Sequence, residues 1–168
     1  MTAGTTAALV FVALYTAHHL ADHWVQTDHQ AIHKGLPGWR GRLACARHVA
    51  TYTLTTLAAV LAVLWLPLGL HATWTGIAVG QAVSAVTHYV IDRRTPLARL
   101  AHATGKGDYH DRGTPRPHRV FAYRPDVEDD PTADLPLDQA PVVRGAYFLD
   151  QSLHIAVLFA AALITALL

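Results

Sequence analysis

The chain of 168 residues has room for one domain or one small helical bundle. Its charged share of 15% lies well under the ~25% of an ordinary soluble domain, and 52% hydrophobic content leans toward a membrane. A net charge of +1 with no basic, aromatic-interleaved stripe argues against a nucleic-acid partner, and a lone Cys45 excludes both a disulfide framework and a Cys-rich zinc site.

Hydropathy divides the chain into four apolar stretches, each able to form a helix of roughly 20 residues, the length a bilayer core of ~30 Å requires. They cover about 3–25, 43–68, 72–91 and 146–168. The fold class expected is therefore all-α: a polytopic membrane protein with four transmembrane helices in one bundle, a single domain over 1–168. Mean hydropathy is only +0.23 because a polar segment, 92–144, dilutes the spans. That segment carries most of the prolines and an acidic run from Asp126 to Asp138, and reads as a long loop or lid with little regular structure. The N-terminus has no Lys/Arg-rich leader region and runs straight into a polar motif, so it is taken as the first span.

Every Lys and Arg lies between spans one and two, at the start of span two, or between spans three and four. The positive-inside rule then places both polar loops in the cytoplasm and both termini outside, in the cell (inner) membrane. Trp24, Trp39, Trp65 and Trp74 fall near span ends, where interfacial anchors belong.

Histidine is abundant, with 12 copies, and it is paired. Span one ends with His18, Asp22 and Gln26 at i, i+4, i+8, one face of a helix. Span three repeats the spacing with His88 and Asp92, and Gln81 and Ser84 extend its polar stripe. Span four opens with Asp150, Gln151 and His154, the pair reversed. Span two begins near His48, and Tyr52 and Thr55 continue that face. At ~1.5 Å per residue, His18, His88 and His154 lie about 21–23 Å from the outer ends of their spans, with His48 slightly nearer the cytoplasmic edge. Four helices thus bring imidazoles and carboxylates to one end at nearly one depth.

Ionisable groups at such depth are expensive unless they face inward with partners, and so mark function. Neutral imidazole suits a transition metal, and carboxylate balances a dication. The metal ligands expected are His18, His48, His88 and His154. Asp22, Asp92 and Asp150 complete the shell or act as general base. The cofactor expected is a divalent ion, Zn or Mn, one or two per chain, since seven groups exceed one tetrahedral site. Gln26, Lys34, Gln81, Arg93, Arg94 and Gln151 are the supporting polar residues. His19 and His23 sit beside the first face, and His71 in the outer turn. His29, His33, His102, His110 and His118 are read as solvated loop residues.

The series His18-His19-Leu20-Ala21-Asp22-His23-Trp24-Val25-Gln26-Thr27-Asp28, Lys34, His48, His88-x3-Asp92 and Asp150-Gln151-x2-His154 resembles a family of small bacterial and phage membrane proteins, domain of unknown function thirty-three-zero-seven. The resemblance spans most of the chain except the third loop. It departs at His23, where the family carries Phe, and at Arg93-Arg94, where a Lys is expected nearby. A looser similarity links it to membrane-bound metal-dependent hydrolases.

The function ranked first is a metal-dependent hydrolase acting at the cytoplasmic end on a lipid or lipid-linked phosphate or ester, with Lys34, Arg93 and Arg94 at headgroup level. The alternatives are a non-enzymatic module for metal-ion or proton handling, haem ligation by two imidazoles, and a structural or partner-binding membrane protein. The partners expected are membrane lipids and a lipid-like substrate; an oligomer is left open.

Overall fold

The computed structural model describes residues 2–112 and 144–168, and among them the chain is all-α. Helix α1 covers Ala3–Leu20 and runs into a π-type turn, Ala21–Val25. Short α2 is Asp28–His33, followed by α3, Gly38–Trp65, and α4, Trp74–Asp92. Two short helices follow, α5, Thr95–Ala103, and α6, Gly107–Asp111, before α7, Gly145–Leu167.

Local chemistry sets most of these ends. Thr2 and Thr73 cap α1 and α4 by accepting from Thr5 N and Gly76 N. Leu66 turns extended ahead of Pro67, which the proline's steric demand on its predecessor requires, and α3 stops there. Thr27 and Gln30 form a reciprocal capping box that starts α2. Helices α5 and α6 correct the expectation of little regular structure after Asp92; the acidic run, His118 and the lid lie outside the described residues.

The four long helices alternate in direction and form a ring in which α1 and α4 each pack on α3 and α7. Val10, Leu14, Val60, Leu158, Ala161 and Ala162 make an apolar core shared by α1, α3 and α7. On the α4 side the contact with α7 is backbone-close. A Cβ added at Gly76 would meet the Thr165 carbonyl oxygen at 2.7 Å, and one at Gly80 would strike Thr165 Oγ1. Gly76 and Gly80, four apart, face Ala161 and Thr165, the small-residue pattern that lets helices approach.

Among the described residues two helices, α3 and α7, rather than the four expected, are long and apolar enough to cross a membrane. Only 22% and 28% of their apolar windows are buried inside the protein, unlike the core helix of a soluble fold. On α1 and α4 a stripe of polar residues faces inward: Thr6, His18, Gln81, Ser84, His88 and Asp92 are buried.

Candidate functional site

The alternating directions bring the C-terminal ends of α1 and α4 beside the N-terminal halves of α3 and α7. Four imidazoles meet there in the bundle interior: His18 and His48 are 0% exposed, His88 1% and His154 2%. Neighbouring ring centres lie 5.0 Å apart for His18 and His154, 5.1 Å for His48 and His88, and 4.4 Å for His88 and His154. Tyr52 stacks on His88 at 3.8 Å, and its hydroxyl meets Ser84 Oγ at 2.6 Å.

Two carboxylates join them. His48 Nε2 lies 3.3 Å from Asp22 Oδ1 and 3.2 Å from Asp92 Oδ2. His88 Nε2 lies 3.5 Å and 3.2 Å from the same two oxygens, and the two ring nitrogens face each other across 3.0 Å. A tetrahedral ion with ligand bonds of ~2.0 Å separates its ligands by about 3.3 Å. In this cage His48 Nε2, His88 Nε2 and Asp92 Oδ2 lie 3.0–3.2 Å from one another and could hold a metal ion, with Asp22 Oδ1 beside them at 3.3 and 3.5 Å from the two nitrogens.

Beyond the His48–His88 contact, hydrogen bonding does not account for the carboxylate oxygens of the cage. Asp22 Oδ1 and Asp92 Oδ2 are buried and accept no well-directed hydrogen bond. An unpaired buried carboxylate oxygen costs several kcal/mol. Both carboxylates also sit at helix C-termini, where the backbone dipole is negative, which deepens the demand for a cation. Lys34 meets part of it with Nζ 2.9 Å from Asp92 Oδ1, a single charge against two.

The imidazole orientations agree with ligation. With its amide oxygen turned toward the cluster, Gln26 accepts from His48 Nδ1 and Lys34 Nζ, each at 3.0 Å, and its nitrogen donates to the Asp22 carbonyl at 3.2 Å. The Gln26 oxygen lies nearer His48 Nδ1 than Nε2, 3.0 against 3.3 Å, which favours a proton on Nδ1 and a lone pair on Nε2 toward the cage. His18 Nε2 faces Gln151 Oε1 at 3.4 Å, and His154 Nδ1 faces the Asp150 carbonyl at 3.0 Å and Asp150 Oδ2 at 3.4 Å. Those bonds leave His18 Nδ1 and His154 Nε2 as the free positions, both buried and without a partner.

The π-type turn is where α1 delivers Asp22. Its wide bond, Gln26 N to the Ala21 carbonyl at 2.9 Å, ends the helix and leaves Gln26 extended. Gln26 is thus not a third position along an α-helical face, yet it still reaches the cluster from the turn. Arg93 donates to the Lys34 and Leu36 carbonyls at 2.5 and 2.6 Å, tying the segment before α3 to the end of α4. Gln81 bonds Thr56 at 2.9 Å on the outer side of Tyr52 and does not join the imidazoles.

A cavity of about 640 Å³ opens beside the cluster, with Lys34, Asp92, Arg94, Arg144, Tyr147 and Asp150 among its lining residues. Arg94 holds a positive φ of 59° while its guanidinium bonds the Ala31 carbonyl at 3.2 Å. Arg144 and Tyr147 escaped the sequence reading because no spacing links them to the paired motifs. Tyr52 did carry a signal, one turn after His48. A separate group, His102, His110 and Asp111, lies on α5 and α6 at the surface, not in a loop. There the His110 hydrogen bond at 2.7 Å holds the Asp111 carboxyl below its usual range.

Neither the curated proteins nor the solved structures contain a match to this chain. A protein family does match, over residues 10–168, which take in every member of the buried cluster. The chain belongs to the family described as Protein of unknown function (DUF3307).

Proposed function

We propose that the protein is a four-span membrane enzyme, a metal-dependent hydrolase of a lipid or lipid-linked phosphate or ester, with its site at the cytoplasmic end. The carrying observation is the buried trio His48, His88 and Asp92, whose ligand atoms lie 3.0–3.2 Å apart, with Asp22 beside it and a carboxylate oxygen of each aspartate accepting no hydrogen bond. A divalent ion there would polarise a phosphoryl or acyl oxygen and lower the pKa of water toward 7. Asp150 lies outside the cage and lines the cavity beside His154, the position for a general base. Lys34, Arg94 and Arg144 give the same cavity cations for an anionic head group.

The distribution of side chains supports four spans. Val12, Leu54, Val86 and Phe159 are exposed on the outside of the ring while histidine and aspartate fill its inside. All four tryptophans are strongly exposed near helix ends. The Thr16, Thr53 and Thr87 hydroxyls bond the carbonyl four residues back, which satisfies a polar group facing hydrocarbon.

A second reading, proton or ion handling, draws on one feature. Tyr52–Ser84 and Thr56–Gln81 extend buried polar contacts from His88 toward the far end. One preparation separates the two. Purified protein is expected to hold Zn or Mn, lose it in His48→Ala, and release phosphate or fatty acid from lipid substrates only when metal-loaded. Absence of metal after reconstitution with both ions would sink the hydrolase reading. Proton flux in liposomes without hydrolysis would favour the second.

A further inference from the structure

At the surface, α5 and α6 gather a set of donor atoms apart from the buried cluster. His102 on α5 and His110 and Asp111 on α6 each offer one ligand atom, and the three atoms lie within 4.8 Å of one another. His110 Nδ1 is 2.7 Å from Asp111 Oδ1, and His102 Nε2 is 4.0 Å from Asp111 Oδ2. The carboxylate thus turns one oxygen to each ring. The link between the helices permits this approach. Gly105, at a φ of 71°, closes α5 in a Schellman motif, with Lys106 N bonded to the Ala101 carbonyl at 2.7 Å and Gly105 N to the His102 carbonyl at 3.2 Å. The His102 ring then lies against Gly107, where a Cβ would strike Nδ1, and Nε2 is the nitrogen left toward Asp111. On its other side α6 is docked on the start of α7, with Gly145 N donating to the Arg112 carbonyl at 2.9 Å and no room for a side chain at Gly145 over the Tyr109 carbonyl.

We propose that His102, His110 and Asp111 bind a divalent transition-metal ion, zinc above all, which clips α6 to α5. The site stands independently of any metal in the buried cluster. Two imidazoles and a carboxylate are donors that suit zinc, whereas Mg²⁺ and Ca²⁺ take oxygen ligands. Ligands of a tetrahedral ion lie about 3.3 Å apart. The His102–Asp111 contact has less than ~1 Å to close, and both side chains, 60% and 61% exposed, are free to turn. The ion takes the place of the proton that His110 shares with Asp111, and that proton passes to water. Three protein ligands leave a coordination position to solvent, so the ion is labile, held when zinc is supplied and lost on dilution. His110 also lines the cavity that carries Arg94 and Arg144. A clip at His110 therefore fixes part of that wall.

The test is Zn²⁺ titration of the full chain in detergent, counted by equilibrium dialysis and elemental mass spectrometry, with hydrogen exchange in α6 as the spatial readout. His102→Ala and Asp111→Asn change exposed side chains and should leave the bundle folded. Each is expected to bind one zinc fewer than wild type, while His48→Ala keeps this ion and loses that of the buried cluster. Free zinc at about ten times its Kd should slow amide exchange in α6 about tenfold in wild type, and leave it unchanged in His102→Ala. Equal zinc uptake by wild type and both surface variants overturns the site, since the metal is then held elsewhere. Unchanged α6 exchange in zinc-loaded wild type overturns the clip. Loss of an ion in His48→Ala alone overturns this site and leaves the buried one standing. Loss in the surface variants alone supports this site and counts against the buried one.

Discussion

Gln26 and Gln151 touch no proposed ion directly, yet they decide which nitrogen of His48 and His18 carries the proton. His48 Nδ1 donates to the Gln26 oxygen at 3.0 Å, and His18 Nε2 to Gln151 Oε1 at 3.4 Å. Removing such partners usually lowers metal affinity about 10–100-fold without removing a ligand. Gln26→Leu should weaken the cage by that factor in a chelator competition. Equal affinity in wild type and Gln26→Leu would show that this glutamine merely fills space. Gln26 was legible from its place after Asp22. Its route to His48 was not, because an extended residue after a π-type turn obeys no helical spacing.

At the scale of elements, the approach of α4 to α7 sets how near His88 and His154 come, 4.4 Å between ring centres. Gly80 has no space for a side chain against Thr165 and the Ala161 carbonyl. Gly80→Val should therefore push the helices apart and cost about 1–3 kcal/mol, the usual penalty of overpacking. Gly4→Ala, where a Cβ meets only Thr2 Oγ1 at 3.7 Å, is the control and should change little. Thermal unfolding in detergent checks both, and an unchanged midpoint for Gly80→Val would mean that this contact is looser than its geometry implies. The same scale shows where sequence reading fell short. The Thr27–Gln30 capping box announces α2, and Pro96 at the start of α5 announces a helix, but both lie in polar stretches where hydropathy is silent.

At the scale of the whole molecule, the basic residues among those described collect at the end of the ring that holds the imidazole cluster, Lys34, Arg93 and Arg94 among them. The proposed orientation has that end in the cytoplasm. Single cysteines at Thr2 and Lys106 test it, since native Cys45 is buried and should stay silent. On intact cells an impermeant maleimide should label Thr2→Cys, and should reach Lys106→Cys only after permeabilisation. Labelling of Lys106→Cys from outside would invert the topology.

The one-dimensional pattern was enough to determine the all-α class, the bounds of four long helices to within a few residues, and seven ionisable residues at one depth. Helical periodicity and depth are local properties, readable from spacing alone, and His18, His48, His88 and His154 all came from them. Tertiary structure decided how those seven divide. Asp22 and Asp92 reach His48 and His88, while Asp150 meets only His154 among the imidazoles and shares the cavity wall with Asp92; His88 is the central ring, 4.4 Å from His154 and 5.1 Å from His48. That division depends on helix rotation and on which helices are neighbours in the ring. Both are fixed by packing between distant segments, Gly80 against Thr165 above all, and no spacing along the chain encodes them.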